Sequence, residues 1–232
     1  MNDNPTILVK FPSRSRPEKL FRTLDDYRKL HTHDNFKILL TLDLDDPTAT
    51  NEEFKERLLN YPEVFPIWGT SDCKVSAINR DICFFDNYDI LIVLSDDMHL
   101  QPGFDAEIIK AFQDGFSGLV HFNDGIANER LCTFPVMDRA YYNLFGFIYD
   151  PIYTSVCCDN HQMELAILLG KYKYIPVKVV QHIHPAYKMA PMDDLYRRNE
   201  DPVLYQSDTL IYREQKANQF FYQKYLKHAP SH

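Results

Sequence analysis

Short apolar runs, each closed by polar or acidic residues, set the rhythm of the first half of the chain. Residues 6–11 (TILVKF), 36–42 (FKILLTL), 64–68 (VFPIW), 90–94 (ILIVL) and 118–122 (GLVHF) are too short for helices and read as strands. The run at 90–94 has no polar alternation, the pattern of a central parallel strand covered on both faces. Between the strands the apolar spacing changes to a helical one. Pro17 opens a segment with Leu20, Leu24 and Tyr27 on one side, proline being favoured at a first helical position. Residues 51–60 and 105–112 are predicted helices, and Val75, Ile78, Ile82 and Phe85 give a further helical face. This strand–helix alternation predicts an α/β fold: one Rossmann-like domain with a mainly parallel central sheet flanked by helices.

The second half has a different texture. Residues 123–158 are rich in aromatics and loop formers, including FGFIYDPIY, and are expected to be irregular structure facing a substrate. A helix follows from about Asn160, with Met163, Ala166 and Ile167 on one face and Gly170 placed as a C′ glycine. The strand predicted at 175–182 runs into QHIHP. Beyond it, a Tyr-rich tail ends in FFYQKYLKH, read as helical. The expected division is a domain over 1–185 and a C-terminal extension over 186–232 packing on or beside it.

Composition narrows the function classes. A chain of 232 residues, 45% hydrophobic, is ample for one core. Its net charge of −8 argues against a nucleic-acid surface, which shows a basic stripe. MNDNPTILVKF lacks a basic, apolar leader, and no apolar stretch reaches the length of a membrane span. The five cysteines show no CxxC spacing, so reduced thiols in a soluble, cytoplasmic protein are expected.

The candidate chemistry lies where strands end. Ligands of parallel sheets bind at strand carboxyl ends. There stand Asp43, Asp45 and Asp46 after the second strand, and Asp96 and Asp97 after the run at 90–94. Adjacent carboxylates raise one another's pKa unless a cation or donor lies between them. The pair therefore points to a divalent cation, Mg2+ or Mn2+, which takes one or two protein carboxylates plus phosphate oxygens and water. His182 and His184, two apart on a predicted strand, project to one face and offer a third ligand. Asp159 precedes a helical pattern, where the plain reading is an N-cap and the functional one a base facing a cleft, with Glu164 one turn on. Lys74, Asn79 and Arg80 lie near the same sheet edge. The chain has seven glycines and neither a GxGxxG nor a GxxxxGK[ST] loop, so any phosphate must be held by metal and side chains.

Together these residues resemble the GT-A glycosyltransferases, in particular the inverting group containing cellulose, chitin and hyaluronan synthases and many small enzymes. The resemblance spans residues 6–185. Pro12-Ser13-Arg14 resembles the family's P[ST]R turn after the first strand, Asp43 or Asp45 its base-facing aspartate, and Lys74, Ala77 and Asn79 its K-x-x-A-x-N segment. Ser95-Asp96-Asp97 stands where the D-x-D motif closes the fourth strand, with Ser95 in place of the first acid. The resemblance implies Asp97 as metal ligand and Asp96 as ribose or metal contact. It also implies His182 or His184 as the late histidine of the metal site and Asp159 as general base. The donor would be a nucleoside diphosphate sugar and the acceptor a glycan or other hydroxyl compound, with Phe147, Tyr149 and Tyr153 offering apolar faces to it. The Q-x-x-R-W motif of processive synthases is absent, which favours single-sugar transfer.

Two other readings compete. LTLDLDD and LSDDM resemble the acids of haloacid-dehalogenase-type magnesium phosphatases, although Pro47 and a preceding strand–helix unit depart from that pattern. A non-catalytic sugar-nucleotide-binding protein would use the same cleft without turnover.

Overall fold

A computed structural model describes residues 4–218 and Tyr225. In chain order the elements are β1 (Ile7–Ser13), α1 (Pro17–Leu30), β2 (Phe36–Asp43), α2 (Pro47–Thr50), α3 (Glu52–Leu58), β3 (Val64–Gly69), α4 (Lys74–Asn79), β4 (Ile90–Val93), β5 (Met98–Leu100) and α5 (Phe104–Lys110). They continue as β6 (Leu119–Asn123), β7 (Pro135–Asp138), α6 (Arg139–Phe145), α7 (Cys158–Leu168), β8 (Tyr172–Lys178), β9 (Val180–His182), α8 (Asp194–Asn199) and α9 (Pro202–Asn218).

Seven strands form one sheet in the order β3-β2-β1-β4-β7-β6-β8, and β5 and β9 form a separate ribbon. Neighbours pair in parallel except at β7, which runs antiparallel to both β4 and β6. The chain moves outward through β1, β2 and β3, then returns to the other side of β1 as β4. That reversal places a crevice at the carboxyl ends of β1 and β4.

Alternation along β1 explains the layering. Ile7, Val9 and Phe11 share a core with Leu20, Phe21, Leu24 and Tyr27 of α1, whereas Leu8 joins Val75 and Ile78 of α4 and Tyr141 of α6. Both sheet faces are therefore dry, which is why the run at 90–94 carries no polar position.

Three expectations need correction. The helical face over 75–85 breaks, because Arg80 leaves α4 with ψ 149° and Asp81 takes a left-handed φ of 75°. The strand predicted at 175–182 divides into β8 on the main sheet and β9 in the ribbon. Residues 123–158 are not wholly irregular: they supply β7, the central antiparallel strand, and α6. PVMD is four residues long, buried throughout and opened by proline, so it carries neither alternation nor length as a signal. FFYQKYLKH, apart from Tyr225, lies outside the described residues. Among the described residues, no helix is long and apolar enough to cross a membrane.

Candidate functional site

The carboxyl ends of β1, β2 and β4 open into a cleft of about 590 Å³, within the range of small-molecule sites. Pro12, Ser13, Arg14, Asp43, Lys74, Asp96, Asp97, Asp159, His182 and His184 all line it. Asp45 stands at the rim, 73% exposed and paired with Arg14. Residues separated by up to 172 positions in the chain thus share one cavity.

At the β2 end the acids are tied by guanidinium groups. Arg14 donates to Asp43 Oδ2 at 2.9 Å and, through both terminal nitrogens, to Asp45. Arg80 donates to the Leu42 carbonyl at 2.7 Å and to Asp81 at 3.0 Å, and its Nη1 lies 3.6 Å from Asp43 Oδ1. Gly69 lies beside it, and a Cβ there would come within 2.7 Å of the Arg80 guanidinium, which would have to shift. Beneath this end lies Lys10, fully buried, its Nζ donating to Thr41 Oγ1 and, at 2.6 Å, to the Arg80 carbonyl. Burial pulls its pKa down to about 7, against the attraction of Asp81.

The β4 end is built differently. Asp96 accepts from Arg16 Nη1 at 2.9 Å, both side chains being buried. Burial, opposed by Arg16 and reinforced by the charge of Asp97, raises its pKa to about 6. Asp97 has no guanidinium partner among its described contacts: it accepts from Ser95 Oγ and, at 2.8 Å, from the Tyr196 hydroxyl, and His182 Nε2 lies 3.6 Å from its Oδ2. Burial works to raise the Asp97 pKa, but His182 and the two hydroxyls overcome it and hold the carboxylate ionised. His182 Nδ1 lies 3.6 Å from Asp124 Oδ2. Asp124 is itself buried and fixed by the N–H groups of Ile126, Ala127 and Asn128 and by Thr133 Oγ1. Burial opposes a charged ring, yet Asp124 and Asp97 together lift the His182 pKa to about 9.

The ribbon sets this geometry. Met98 pairs with His182 across β5 and β9, and the Ile183 N–H donates to the Asp97 carbonyl at 2.8 Å. His184, two residues past the strand, turns elsewhere: its Nε2 is 3.0 Å from Glu200 and its Nδ1 accepts from the Ala186 N–H. The two rings lie 5.4 Å apart, and His182 is the one brought to Asp97.

On the far side of the cleft, Asp159 is not the N-cap of its helix. Cys157 holds that position with a left-handed φ of 60°, so the helix begins earlier than its apolar spacing implies and Asp159 lies in the first turn. One Asp159 oxygen accepts from the Asn160 N–H at 2.9 Å. Glu164 turns away to Tyr212 and Lys216 of α9. Asn79 does not reach the cleft wall. Its side chain clamps the 148–149 backbone, accepting from Ile148 and Tyr149 N–H and donating to the Tyr149 carbonyl.

The aromatic wall also differs from expectation. Phe147 packs with Phe145, Tyr153 is buried, and Tyr149 lines the cleft but is 5% exposed. The exposed rings on the cleft are Tyr187 and Tyr205, at 47% and 55%, both from the C-terminal segment.

The donor chemistry around Asp97 suits a divalent ion. A carboxylate faces an imidazole nitrogen at a separation too long for a hydrogen bond, and the buried far nitrogen, which makes no hydrogen bond, is turned to Asp124. In ligating histidines the far nitrogen donates to such a carboxylate; here the two are 3.6 Å apart. Among the described residues, no three or more His, Cys, Asp or Glu side chains are grouped so as to hold a metal ion.

Sequence reasoning missed Arg16, Asp124, Tyr196 and Glu200. Arg16 lies in the PSRSRP turn and Tyr196 in a segment with no clear pattern. Their partners are 80 and 99 residues away, a pairing that no local spacing reveals.

No protein-family model matches this sequence, and no curated protein is similar to it. Solved structures do share its shape. The mannosyltransferase PcManGT from Pyrobaculum calidifontis, in complex with GDP-Man and Mn2+, aligns with TM-score 0.62 at 12% identity, over 87% of this chain and 68% of that one. S. aureus TarS aligns with TM-score 0.62 at 10% identity, over 76% of this chain and 36% of that one. A TarS structure of residues 1–349 gives 0.60 and 10%, over 76% and 60%. The chain therefore spans less than two thirds of either TarS structure. At these identities the likeness concerns architecture: the chain has the mixed α/β, GT-A-like fold of these glycosyltransferases.

Proposed function

We propose that this chain is a glycosyltransferase that moves one sugar from a nucleoside diphosphate sugar to an acceptor hydroxyl, with inversion and with a divalent cation. The observation that carries the reading is convergence: an ionised Asp97 beside His182, and Asp159 from another element, line one cleft at the switch point of the sheet. Pro12, Ser13, Arg14, Asp43 and Lys74 frame the nucleotide, Asp45 braces Arg14 at the rim, and Asn79 shapes the wall by holding residues 148 and 149. Asp96, tied to Arg16, borders the ribose and diphosphate.

Asp97 and His182 would hold the cation; His184 is engaged by Glu200. When bound, the ion supplies positive charge for the departing diphosphate. The acceptor oxygen forms a bond to the anomeric carbon as the carbon–phosphate oxygen bond breaks. Asp159 takes the acceptor proton, and the electron pair leaves on the nucleoside diphosphate. Tyr187 and Tyr205 offer the acceptor amphipathic faces at the cleft mouth.

The phosphatase reading would make Asp43 a nucleophile, but Arg14 and Arg80 flank its carboxylate, which favours a binding role. Asp159→Asn tests the main reading. It should leave the affinities for UDP-glucose and GDP-mannose, measured calorimetrically with Mn2+, nearly unchanged. Nucleoside diphosphate release should fall about 10²- to 10⁴-fold. Retention of most of the turnover would remove Asp159 from the chemistry.

A further inference from the structure

The turn that launches α7 is strained and held from outside. Cys157 is a non-glycine residue with φ 60°, immediately before the helix that carries Asp159. Such a conformation persists where its surroundings over-determine it. Cys157 Sγ lies 3.9 Å from Thr209 Oγ1, and the three residues before it are gripped by a neighbouring side chain of α9, Asp208, which is 0% exposed. Its Oδ2 accepts from the Ser155 N–H at 2.7 Å and the Val156 N–H at 2.9 Å; its Oδ1 accepts from the Thr154 N–H at 3.1 Å and Thr154 Oγ1 at 2.9 Å. Three consecutive backbone donors therefore converge on one carboxylate.

The same loop reaches both walls of the cleft. The Thr154 carbonyl accepts from the Val75 N–H at 3.1 Å, fixing the first turn of α4 beside Lys74. Ser155 Oγ donates to the Asn199 carbonyl at the end of α8, and Cys158 Sγ lies 3.6 Å from the Ser155 carbonyl. Asp208 does not line the cleft, so it acts through other residues.

We infer that Asp208 is a positioning residue for Asp159, clamping residues 154–156 so that the base stays aimed at the acceptor. This rests on the glycosyltransferase reading above. It makes α9 part of the active-site architecture and gives the buried carboxylate a purpose beyond anchoring a helix.

A double-mutant cycle tests it, using nucleoside diphosphate release from UDP-glucose and GDP-mannose with Mn2+ as the activity and UDP and GDP as binding probes. Asp208→Asn should lower turnover by about 10- to 100-fold, the scale of an angstrom-sized misplacement, while UDP and GDP affinities stay within about twofold. In the Asp159→Asn background the same change should add nothing, because both act on one step. An equal fall in both backgrounds, or unchanged turnover, overturns the assignment. If Asp208→Asn does not melt cooperatively, Thr154→Val, which removes one donor to the clamp, enters the same cycle with a smaller expected fall. Should the wild-type chain release no nucleotide, or Asp159→Asn prove fully active, the catalytic reading falls on its own account. Backbone amide exchange at Thr154–Val156 then decides the clamp: faster exchange in Asp208→Asn keeps it, and unchanged exchange rejects it.

Discussion

β2 and β4 end alike in sequence and unlike in chemistry. Asp43 and Asp45 are answered by guanidinium groups from Arg14 and Arg80. At β4, Asp96 is answered by Arg16, while Asp97 keeps hydroxyl and imidazole partners. A guanidinium is always charged, and it holds an acid permanently in a fixed fork. A hydroxyl can rotate and an imidazole can shed its proton, so Asp97 is the acid that can exchange partners for a cation. The comparison teaches that a strand-end acid is defined by what answers it, and four acids with one placement divide into fixed and exchangeable ones.

The largest expected effect tests the fixed side. Arg16→Met leaves Asp96 buried and unpaired, which should cost about 3 to 5 kcal/mol of stability in denaturant melts. Because Asp96 already has its pKa raised to about 6 and loses its cation in the variant, the penalty should be present at pH 8. It should fade as pH falls through the raised pKa and the neutral acid takes over. Wild-type stability at pH 8 would break the distinction.

The exchangeable side comes next. Asp97→Asn should weaken manganese-dependent nucleotide binding by at least about 10- to 100-fold, the range for lost outer-shell partners of metal sites. Asp45→Asn should change nucleotide affinity equally with and without manganese. Calorimetry in which both variants show the same metal dependence would erase the contrast between the strands.

Lys10 sharpens the comparison from beneath β2. Its pKa falls from 10.5 to about 7 in the folded chain through burial. Between these values the unfolded chain holds a proton that the folded one has released, so stability should rise with pH across that window. The slope should reach at most about 1.4 kcal/mol per pH unit. Lys10→Met should flatten this segment of the profile; an unchanged slope would assign it to another group. The smallest effect belongs to Tyr196→Phe, which removes one donor from Asp97. A loss of about 1 kcal/mol in stability with tighter manganese binding is expected, whereas weaker binding would make the hydroxyl a support of the ion and not its competitor.

Much of this was legible in the sequence. β4 announces itself as an unbroken apolar run, because a strand covered on both faces has few polar positions to spare, and β1 and β2 are apolar runs interrupted by Lys10, Lys37 and Thr41. That Asp43, Asp97, His182 and His184 would gather at one sheet edge could be read from their places at strand ends; that His182 and not His184 faces Asp97 could not. Nor could Asp124, Arg16 and Asp208 be named, since each gains meaning from a partner in another element. β7 escaped for a different reason: four buried residues leave no period to count. The aromatic wall was misplaced because aromatic density in 141–153 serves the core, while Tyr187 and Tyr205 sit in a stretch whose local pattern is poor.

The ribbon of β5 and β9 gives the site an unusual kind of fragility. Asp97 faces His182 because Met98 is paired with His182 and not with a neighbour, and that is a whole-number choice. A slip of one residue in a strand turns every side chain to the opposite face. The histidine would then point away from the acid with the seven-stranded sheet untouched. Insertions or deletions in the loops that feed these two short strands would therefore act as an on–off selection on the site, by changing the register and not the side chains.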